Sequence, residues 1–419
     1  MRNYLSIVSS VALASGTALA QPAEPTPPPA ADPTAPVTES PPVVGDPQPG
    51  APSPDDKKPA LVGYDKGFFI KSDDGKYSLK ITGRVQPFLN VTRTEGPPNN
   101  VASNFEVRRA RLVLEGNIHS KKLLYKMQSD FGRGFVTLKD FHADVALADD
   151  VWLRVGQWKR PFSRQQINSS GRLEVTDRAI TDRAFGAGRD IGFALRNDYE
   201  KSPAFEWVVG VFNGTGDAAR VTSTTTIDPM TMMPTTTTGL PTNVPRDFRP
   251  VVVARAGINA NGLKGYTEAD LEGGPLRHGV AASVWLEGDF DEDDKSNQKI
   301  EVDGVVKVEG LSASAGVYAQ TDQTGSSVTD AEESLLGFHV QAGYMVVPKH
   351  WQVAGRYARV DDLVSSATTA RDQQEISVGG NYYGFGHDAK LAFAVRLIKT
   401  GEQSFTDVAL VELGVNVGF

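Results

Sequence analysis

The last nine residues of the chain read Val411-Glu412-Leu413-Gly414-Val415-Asn416-Val417-Gly418-Phe419, an alternation of apolar side chains with polar or small ones. Successive side chains of a β-strand point to opposite faces, so this period of two predicts a strand with one apolar face. Soluble sheets contain such strands as well. The fold therefore depends on whether the same period recurs through the rest of the chain.

Alternation does recur, from about residue 77 onward. Five alternating segments precede residue 159, near residues 77–91, 105–116, 123–130, 140–145 and 151–155. Eleven more follow near residues 190–197, 204–213, 249–258, 277–288, 298–309, 311–321, 334–346, 350–360, 373–383, 388–398 and 406–419. An even number of strands closes an antiparallel outer-membrane barrel with both ends on one side. The sequence predicts an all-β chain whose residues 61–419 form a transmembrane barrel of about sixteen strands.

The second alternating segment changes phase in its middle. Phe105 and Val107 are out of step with Ala110 and Leu112, which predicts a β-bulge near Arg108. Between segments, short connections such as 309–311 and 347–349 are predicted to be periplasmic turns. Long polar connections, such as 214–248, are predicted to be extracellular loops.

Bulk composition excludes several other classes. The 419 residues include no cysteine, so disulfides and zinc–thiolate sites are excluded. The formal net charge of −8 argues against a general nucleic-acid binder. Beyond the N-terminus no run of about 18 apolar residues occurs, which excludes a helical membrane protein.

The N-terminal sixty residues have the pattern of an export signal and a linker. Met1-Arg2 precedes an apolar stretch at residues 4–14, and Ala18-Leu19-Ala20 has the small residues that signal peptidase requires. We expect residues 1–20 to be a signal peptide. Residues 21–60 are rich in proline, alanine and polar residues, which predicts a disordered periplasmic linker, either a plain spacer or a contact to peptidoglycan or a partner.

Residues 159–189 interrupt the alternation and are unusually basic for an acidic chain. Their only acids are Glu174, Asp177 and Asp182. Arginine presents a fixed fork of donors that suits oxyanions, and several arginines at a constriction focus a positive potential there. We expect this stretch to select anions, mainly through Arg178, whose alternative role is to anchor the stretch to a wall carboxylate such as Asp140. The predicted anion-binding residues are Lys159, Arg160, Arg164, Arg172, Arg178, Arg183 and Arg189.

Charged residues of the strands are expected to face the lumen, because an Arg or Lys facing lipid at mid-membrane costs about 2–4 kcal/mol. The predicted pore-lining cations are Lys80, Arg84, Arg109, Arg111, Lys126, Arg154, Arg255, Lys307, Arg356, Lys390 and Arg396. The same rule places carboxylates there, namely Glu115, Asp130, Asp140, Asp144, Glu301, Asp303, Glu309 and Glu375. Since the two sets nearly balance, many of these charges are expected to pair across the wall.

Several short segments share their order with a known family. They are residues 108–112 (Arg-Arg-Ala-Arg-Leu), 155–162 (Val-Gly-Gln-Trp-Lys-Arg-Pro-Phe), 177–179, 189–192, 212–214, 337–344 and 379–383. From about residue 67 to its end, the chain resembles the phosphate-selective porin O and P family. The resemblance implies a homotrimer of sixteen-stranded barrels, with the third loop folded inward and basic residues along the pore. The final strand also resembles the segment that such barrels present, through a terminal aromatic such as Phe419, to their insertion machinery.

Together these features predict a passive channel for small inorganic anions, with phosphate and polyphosphate as candidate solutes. The expected location is the outer membrane of a Gram-negative bacterium, in contact with lipid and lipopolysaccharide. No cofactor, metal site, catalytic residue or nucleic-acid partner is predicted, because the six histidines and the acidic residues 289–294 show no ligand spacing.

Three alternatives stay open. The net charge of −8 would allow a general or weakly cation-selective diffusion porin. An outer-membrane barrel enzyme would need a nucleophile, base and acid, which the alternation does not assemble around any histidine. A secreted β adhesin has only the Thr-rich residues 222–238 in its favour.

Overall fold

A computed structural model of the protein describes residues 61–95, 100–216, 223–227, 234–238, 242–245, 248, 250–288, 296–324, 331–363, 372–405 and 407–419. The predicted signal peptide, the Pro-rich linker and the acidic residues 289–294 lie outside these ranges. Inside them, no helix has the length and apolarity that a membrane crossing needs.

The described residues form mostly β-strands, with two single-turn α-helices. The strands are β1 (Val62–Tyr64), β2 (Phe68–Lys71), β3 (Ser78–Thr94), β4 (Asn100–Ile118), β5 (Ser120–Asp130), β6 (Thr137–Ala148), β7 (Val151–Lys159), β8 (Arg189–Arg196), β9 (Phe205–Phe212), β10 (Ser223–Ile227), β11 (Pro234–Thr238), β12 (Val251–Ala260), β13 (Arg277–Glu287), β14 (Ser296–Val308), β15 (Leu311–Thr324), β16 (Ala331–Val347), β17 (Trp351–Asp362), β18 (Gln373–Phe385), β19 (Ala389–Thr400) and β20 (Val408–Gly418). The helices are α1 (Arg164–Ile167) and α2 (Ile180–Ala184), both between β7 and β8.

Sixteen strands, β3 to β9 and β12 to β20, close into a barrel. Each pairs antiparallel with the next, and β9 pairs with β12. The last strand pairs with the first, from Val408↔Thr94 to Gly418↔Arg84. Closure gives each of these sixteen strands a partner on both sides, as a barrel in lipid requires. The predicted sixteen-stranded antiparallel barrel is confirmed, and each strand lies close to its predicted segment.

Two hairpins were not predicted, because their strands are too short to show a period. β2 pairs with the start of β3, where Phe68 faces Ile81 and Lys71 faces Ser78. The β1–β2 hairpin therefore extends the wall beyond the end of β20. β10 and β11 pair with each other inside the Thr-rich connection between β9 and β12.

The predicted bulge lies at Arg108. Gln86 of β3 faces Arg109 of β4, but the next residue, Pro87, faces Val107, so Arg108 is the extra residue. Val107 is exposed on the outer face while Arg108 is buried inside. The bulge thus turns two successive arginines toward the lumen, which a regular strand would not do.

The outer face of the barrel is apolar. On β20, for example, Val411, Leu413, Val415 and Val417 are exposed, while Glu412 is buried inside. This alternation matches the terminal sequence pattern and gives the outer wall the apolar surface that lipid requires.

Residues 160–188, between β7 and β8, fold into the barrel and are called the inward loop below. Its Phe162, Leu173 and Ile180 side chains are almost completely buried. Phe185 stacks on Tyr318 of β15 with 5.1 Å between ring centroids. The inward fold that the family resemblance implies is confirmed.

Residues 261–276, between β12 and β13, also fold into the barrel and are called the second inward segment. They enter from the end of the barrel that holds the C-terminus, because the strands alternate in direction. Tyr266, Ala269 and Asp270 are buried there. This segment has no period in the sequence and was not predicted. Together with the inward loop it fills much of one side of the lumen.

Candidate functional site: cations beside the inward loop

The open part of the lumen lies between the inward loop and the wall, mainly of β3 to β8. Two adjoining cavities of ≈ 650 and ≈ 540 Å³ share Ile167 and Ser169 of the loop as lining residues. Twelve cations line them, against seven carboxylates. The cations are Lys66, Lys71, Lys80, Arg84, Arg111, Lys126, Arg154, Lys159, Arg172, Arg189, Arg196 and Lys201. This part of the lumen is therefore positive, although the whole chain is acidic.

Six cations on this side lie within electrostatic range of one another and are called the cationic cluster. They are Arg84, Arg109, Arg111, Lys159, Arg178 and Arg189. Four of them form ion pairs, Arg109–Asp177 (3.6 Å), Arg111–Asp130 (2.8 Å), Arg178–Asp182 (3.8 Å) and Arg189–Asp140 (2.7 Å). Within the part of the chain that the structure describes, Arg84 and Lys159 have no ion-pair partner. The cluster thus carries an excess of two positive charges.

The carbonyl end of α1 holds two members of the cluster. Lys159 Nζ donates to the carbonyl oxygens of Gln166 (2.8 Å), Ile167 (3.0 Å) and Asn168 (2.9 Å). Arg178 donates to the carbonyl oxygen of Asn168 (2.7 Å) and to others in the same turn. The last carbonyls of a helix have no partner within the helix, so they accept cations readily. The loop backbone therefore fixes both cations without neutralising their charge.

Arg84 is held by hydroxyl groups of the inward loop. Its Nη1 donates to Ser169 Oγ (3.0 Å) and its Nη2 to Ser170 Oγ (2.6 Å). Gly171 permits this approach, because a Cβ there would lie 2.2 Å from Nη1. The guanidinium group borders the smaller cavity with its charge uncompensated.

The other side of the lumen fixes the inward loop by buried polar contacts. Arg164 Nε donates to Asp303 Oδ1 (2.8 Å), and the Ile180 backbone N–H donates to Glu375 Oε2 (3.0 Å). Lys390 Nζ donates to the Leu173 carbonyl oxygen (2.7 Å). These wall residues are buried. This filled side holds the loop and leaves little room for solute.

Asp177 contacts both sides. Its carboxylate pairs with Arg109, and its carbonyl oxygen accepts from Arg356 Nη1 (2.8 Å). Burial opposes ionisation, but the positive charges of Arg109, Arg396 and Arg108 outweigh it and lower the pKa of Asp177 to about 2. The carboxylate is therefore charged at neutral pH.

The pKa of Glu174, in contrast to that of Asp177, is raised. Glu174 lies in the inward loop beside Glu268 of the second inward segment, and Gln341 Nε2 donates to both carboxylates at 2.9 Å. Burial and the charge of Glu268 raise the pKa of Glu174 to about 7. At neutral pH this loop carboxyl group is therefore close to half protonated.

The seven predicted anion-binding residues differ in whether they lie in the cationic cluster, are buried in ion pairs or are exposed. Lys159, Arg178 and Arg189 belong to the cationic cluster. Arg160 is buried with Asp190 (3.1 Å) and Arg164 with Asp303, so neither lines the two cavities. Arg172 and Arg183 are exposed, and only Arg172 lines a cavity. Arg178 contacts loop carbonyls, and Asp140, its predicted alternative partner, pairs with Arg189 instead.

The predicted pore-lining cations all face the interior, but only some of them border the two cavities. Lys80, Arg84, Arg111 and Lys126 border the cavities, and Arg109 is in the cluster. Arg154 borders a cavity but pairs with Asp144 at 2.7 Å. The remaining members are buried on the filled side: Arg255, Lys307, Arg356, Lys390 and Arg396. Alternation predicts the face correctly, yet it does not show which residues the inward segments cover.

Some of the charged residues that face the interior were not identified from the sequence. Arg108 pairs with Glu412 (2.7 Å), and Arg196 pairs with Asp144 (3.1 Å). Two signals pointed to Arg108, namely the predicted bulge and the family segment at residues 108–112. Glu268 lies in a segment without period, and no signal in the sequence indicates its contacts. In the described ranges no group of three or more His, Asp or Glu side chains is arranged to hold a metal ion.

Comparison with known proteins identifies the family. The sequence profile described as "Phosphate-selective porin O and P" matches residues 79–409. The comparison with curated proteins gives no significant match. Among solved structures, the outer membrane channel DcaP of Acinetobacter baumannii is 14% identical with a TM-score of 0.55, covering 84% of this chain and 99% of its own.

Two further porins have a similar fold. The anion-selective porin from Comamonas acidovorans is 10% identical with a TM-score of 0.52, covering 82% of this chain and 100% of its own. OprB of Pseudomonas putida is 9% identical with a TM-score of 0.51, covering 81% of this chain and 94% of its own. At these identities the likeness concerns the fold alone. The family match and the closed barrel show that the chain belongs to the phosphate-selective porin O and P family and is an outer-membrane channel of Gram-negative bacteria.

Proposed function

We propose that this channel passes small inorganic anions and that the cationic cluster beside the inward loop sets the preference. The observation that supports the proposal is the excess of two positive charges in the cluster, next to cavities lined by twelve cations and seven carboxylates. Arg84 and Lys159 supply that excess, because neutral oxygens hold them in place. Phosphate is the solute that the family description suggests, and polyphosphate is a second candidate because it carries the same charged groups.

The arrangement suits transport rather than tight binding. Permeation needs several weak sites, so that an ion can enter and also leave. Within the cluster, most cations already have a carboxylate or carbonyl partner, which weakens their hold on a passing anion. Guanidinium groups still present donors that match an oxyanion. An anion would therefore move from one cation to the next.

Reversal potential in planar bilayers under a KCl gradient tests the anion preference. We expect chloride to permeate better than potassium, and a cation-preferring channel would contradict the proposal. Phosphate should then reduce chloride current, and Arg84→Ala should weaken that block. Arg183→Ala is the matched control, because Arg183 is an exposed loop cation that does not line the two cavities. Equal block in both variants would show that Arg84 is not the site.

A general or weakly cation-selective porin is the second candidate. Asp140, Asp144, Glu115 and Glu200 border the cavities and could attract cations. Two observations weigh against it: Asp140 and Asp144 are paired with arginines, and the cations are more numerous. The same reversal potential separates the two candidates.

The oligomeric state and the location of the channel are also proposed from the family. We propose a homotrimer, with residues 21–60 in the periplasm and the apolar outer wall in lipid and lipopolysaccharide. We also propose that the barrel-insertion machinery recognises Phe419. Unheated gel electrophoresis with chemical cross-linking should show a trimer band that boiling dissociates. A species that stays monomeric under native conditions would contradict the trimer.

A further inference from the structure

We infer that Glu268, on the second inward segment, is a positioning residue that sets the shape of the inward loop where the loop borders the cavities. The inference rests on the proposed function in one respect, namely that the cationic cluster selects anions. Glu268 itself does not line the two cavities. Its effect must therefore pass through the loop residues that it contacts.

Glu268 ties together two ends of one stretch of the loop. Its Oε1 accepts hydrogen bonds from Gln165 Nε2 (3.3 Å) and Asn168 Nδ2 (3.4 Å). Its Oε2 accepts one from the backbone N–H of Glu174 (2.7 Å). The residues between these contacts include Ile167 and Ser169, which line both cavities. One buried carboxylate thus connects both ends of the loop stretch that borders the cavities.

The second inward segment gives Glu268 a rigid base. Lys307 Nζ of β14 donates to the Ala269 carbonyl oxygen at 3.0 Å. Asp270 accepts from Arg277 Nη2 of β13 at 2.7 Å. These contacts lie directly beside Glu268 and join the segment to the wall. A charged acceptor held in this way fixes its donors more firmly than a neutral one.

Loss of the Glu268 carboxylate would reach the cationic cluster through the α1 carbonyls. Gln165 and Asn168 lie in and directly after α1, whose carbonyl end holds Lys159 and Arg178. If this turn shifts, both cations lose their carbonyl partners and their positions. The two inward segments therefore act as one unit, in which the second inward segment supports the inward loop where the loop borders the cavities.

The experiment compares Glu268→Ala with Glu272→Ala in single-channel recordings of the full chain. Glu272 is the matched control, because it lies on the same segment and pairs only with Lys264 and Arg277 among the described residues, at about half exposure. We expect Glu268→Ala to lower the chloride-to-potassium permeability ratio at least threefold and to raise the open-channel current noise. Glu272→Ala should match the wild type in both. Glu268→Gln should lie in between, since its amide keeps one acceptor and loses the other.

A second variant guards against a failure to fold. If Glu268→Ala does not insert, Gln165→Ala combined with Asn168→Ala removes two donors from the loop side and should give the same noise and the same loss of selectivity. Wild-type noise and permeability in the variant that folds would overturn the inference and leave the proposed function intact. A wild type that prefers cations would overturn the proposed function, and the noise comparison would still decide the inference.

Discussion

The two sides of the lumen use the same residue types for different purposes. On the filled side, Arg356 and Arg396 are buried against Glu375, and the loop backbone contacts the same carboxylate. On the open side, Arg84 donates to two serine hydroxyl groups of the inward loop and borders a cavity. The difference is the presence or absence of a carboxylate partner. A buried arginine of the filled side is structural because a carboxylate neutralises it, whereas Arg84, which has no such partner among the described residues, is available to solute.

This comparison explains how an acidic protein can present a positive passage. Many wall carboxylates lie on the filled side. There they pair with buried cations or accept hydrogen bonds from the loop backbone, and they do not line the cavities. The cations of the open side then exceed their partners locally. Since the Debye length is about 8 Å at physiological ionic strength, a solute in the passage senses this local excess more than the total charge of −8.

The largest expected effect is on stability, from Glu375→Ala on the filled side. Glu375 accepts from Arg356 Nη2 at 2.5 Å and from the Ile180 N–H at 3.0 Å, so the variant leaves the buried charge of Arg356 without its carboxylate and a loop donor unpaired. Removing one partner of a buried ion pair costs about 3–5 kcal/mol. The free energy of unfolding, measured in detergent by denaturant titration, should fall by that amount.

An exposed ion pair provides the control for that experiment. Arg359 pairs with Asp361 at 2.7 Å, and its side chain is 44% exposed. Exposed pairs contribute roughly 0–1 kcal/mol, so Arg359→Ala should change the unfolding free energy little. Equal losses in Glu375→Ala and Arg359→Ala would show that the filled side does not stabilise the loop through its charges.

A smaller effect on stability should depend on pH. The pKa of Glu174 rises from its ordinary 4.5 to about 7, so the folded protein holds a proton that the unfolded chain releases above pH 4.5. The stabilisation is complete below that pH and is lost as the pH rises through about 7. The total change is up to roughly 3 kcal/mol. Unfolding at pH 5 and pH 8 should show this loss, and Glu174→Gln should remove most of it. A pH-independent difference between the two proteins would contradict the assignment.

The smallest expected effect is on the open side, from Gly171→Ala. The new Cβ would lie 2.2 Å from Arg84 Nη1, and the flexible end of Arg84 can move away. Although Gly171 is buried, we expect a change of only about 1 kcal/mol or less in the unfolding free energy, because only the flexible end of the Arg84 side chain has to shift. The permeability ratio should change by about twofold or less, because the charge stays near the passage. A large loss of stability would show that the contact is structural.

Strand positions were predictable because a barrel strand has a strict period. The phase change between Val107 and Ala110 even located the bulge at Arg108. Alternation also predicted which charged residues face the interior. These features depend only on neighbours in the sequence, so a single sequence carries them.

The division of the lumen was not predictable, because it depends on distant partners. Arg164 and its partner Asp303 are 139 residues apart, and Arg84 and Ser169 are 85 apart. The count of charges in residues 159–189 made the loop appear free to bind anions, since it omitted the wall carboxylates that neutralise Arg164 and Arg189. The second inward segment has no periodicity, so the sequence does not show that this segment covers Arg255.

Charge reversal at Arg84 tests the central claim most directly. The measurement is the chloride-to-potassium permeability ratio, from the reversal potential of Arg84→Glu and of the wild type under one KCl gradient. A change of two charges at about 8 Å, at an effective dielectric constant near 20, alters the energy of a passing ion by roughly 4 kcal/mol before screening by salt. The account predicts that the wild type prefers chloride and that Arg84→Glu loses or inverts this preference while it still forms a folded barrel. An unchanged ratio in a folded Arg84→Glu channel would contradict the account.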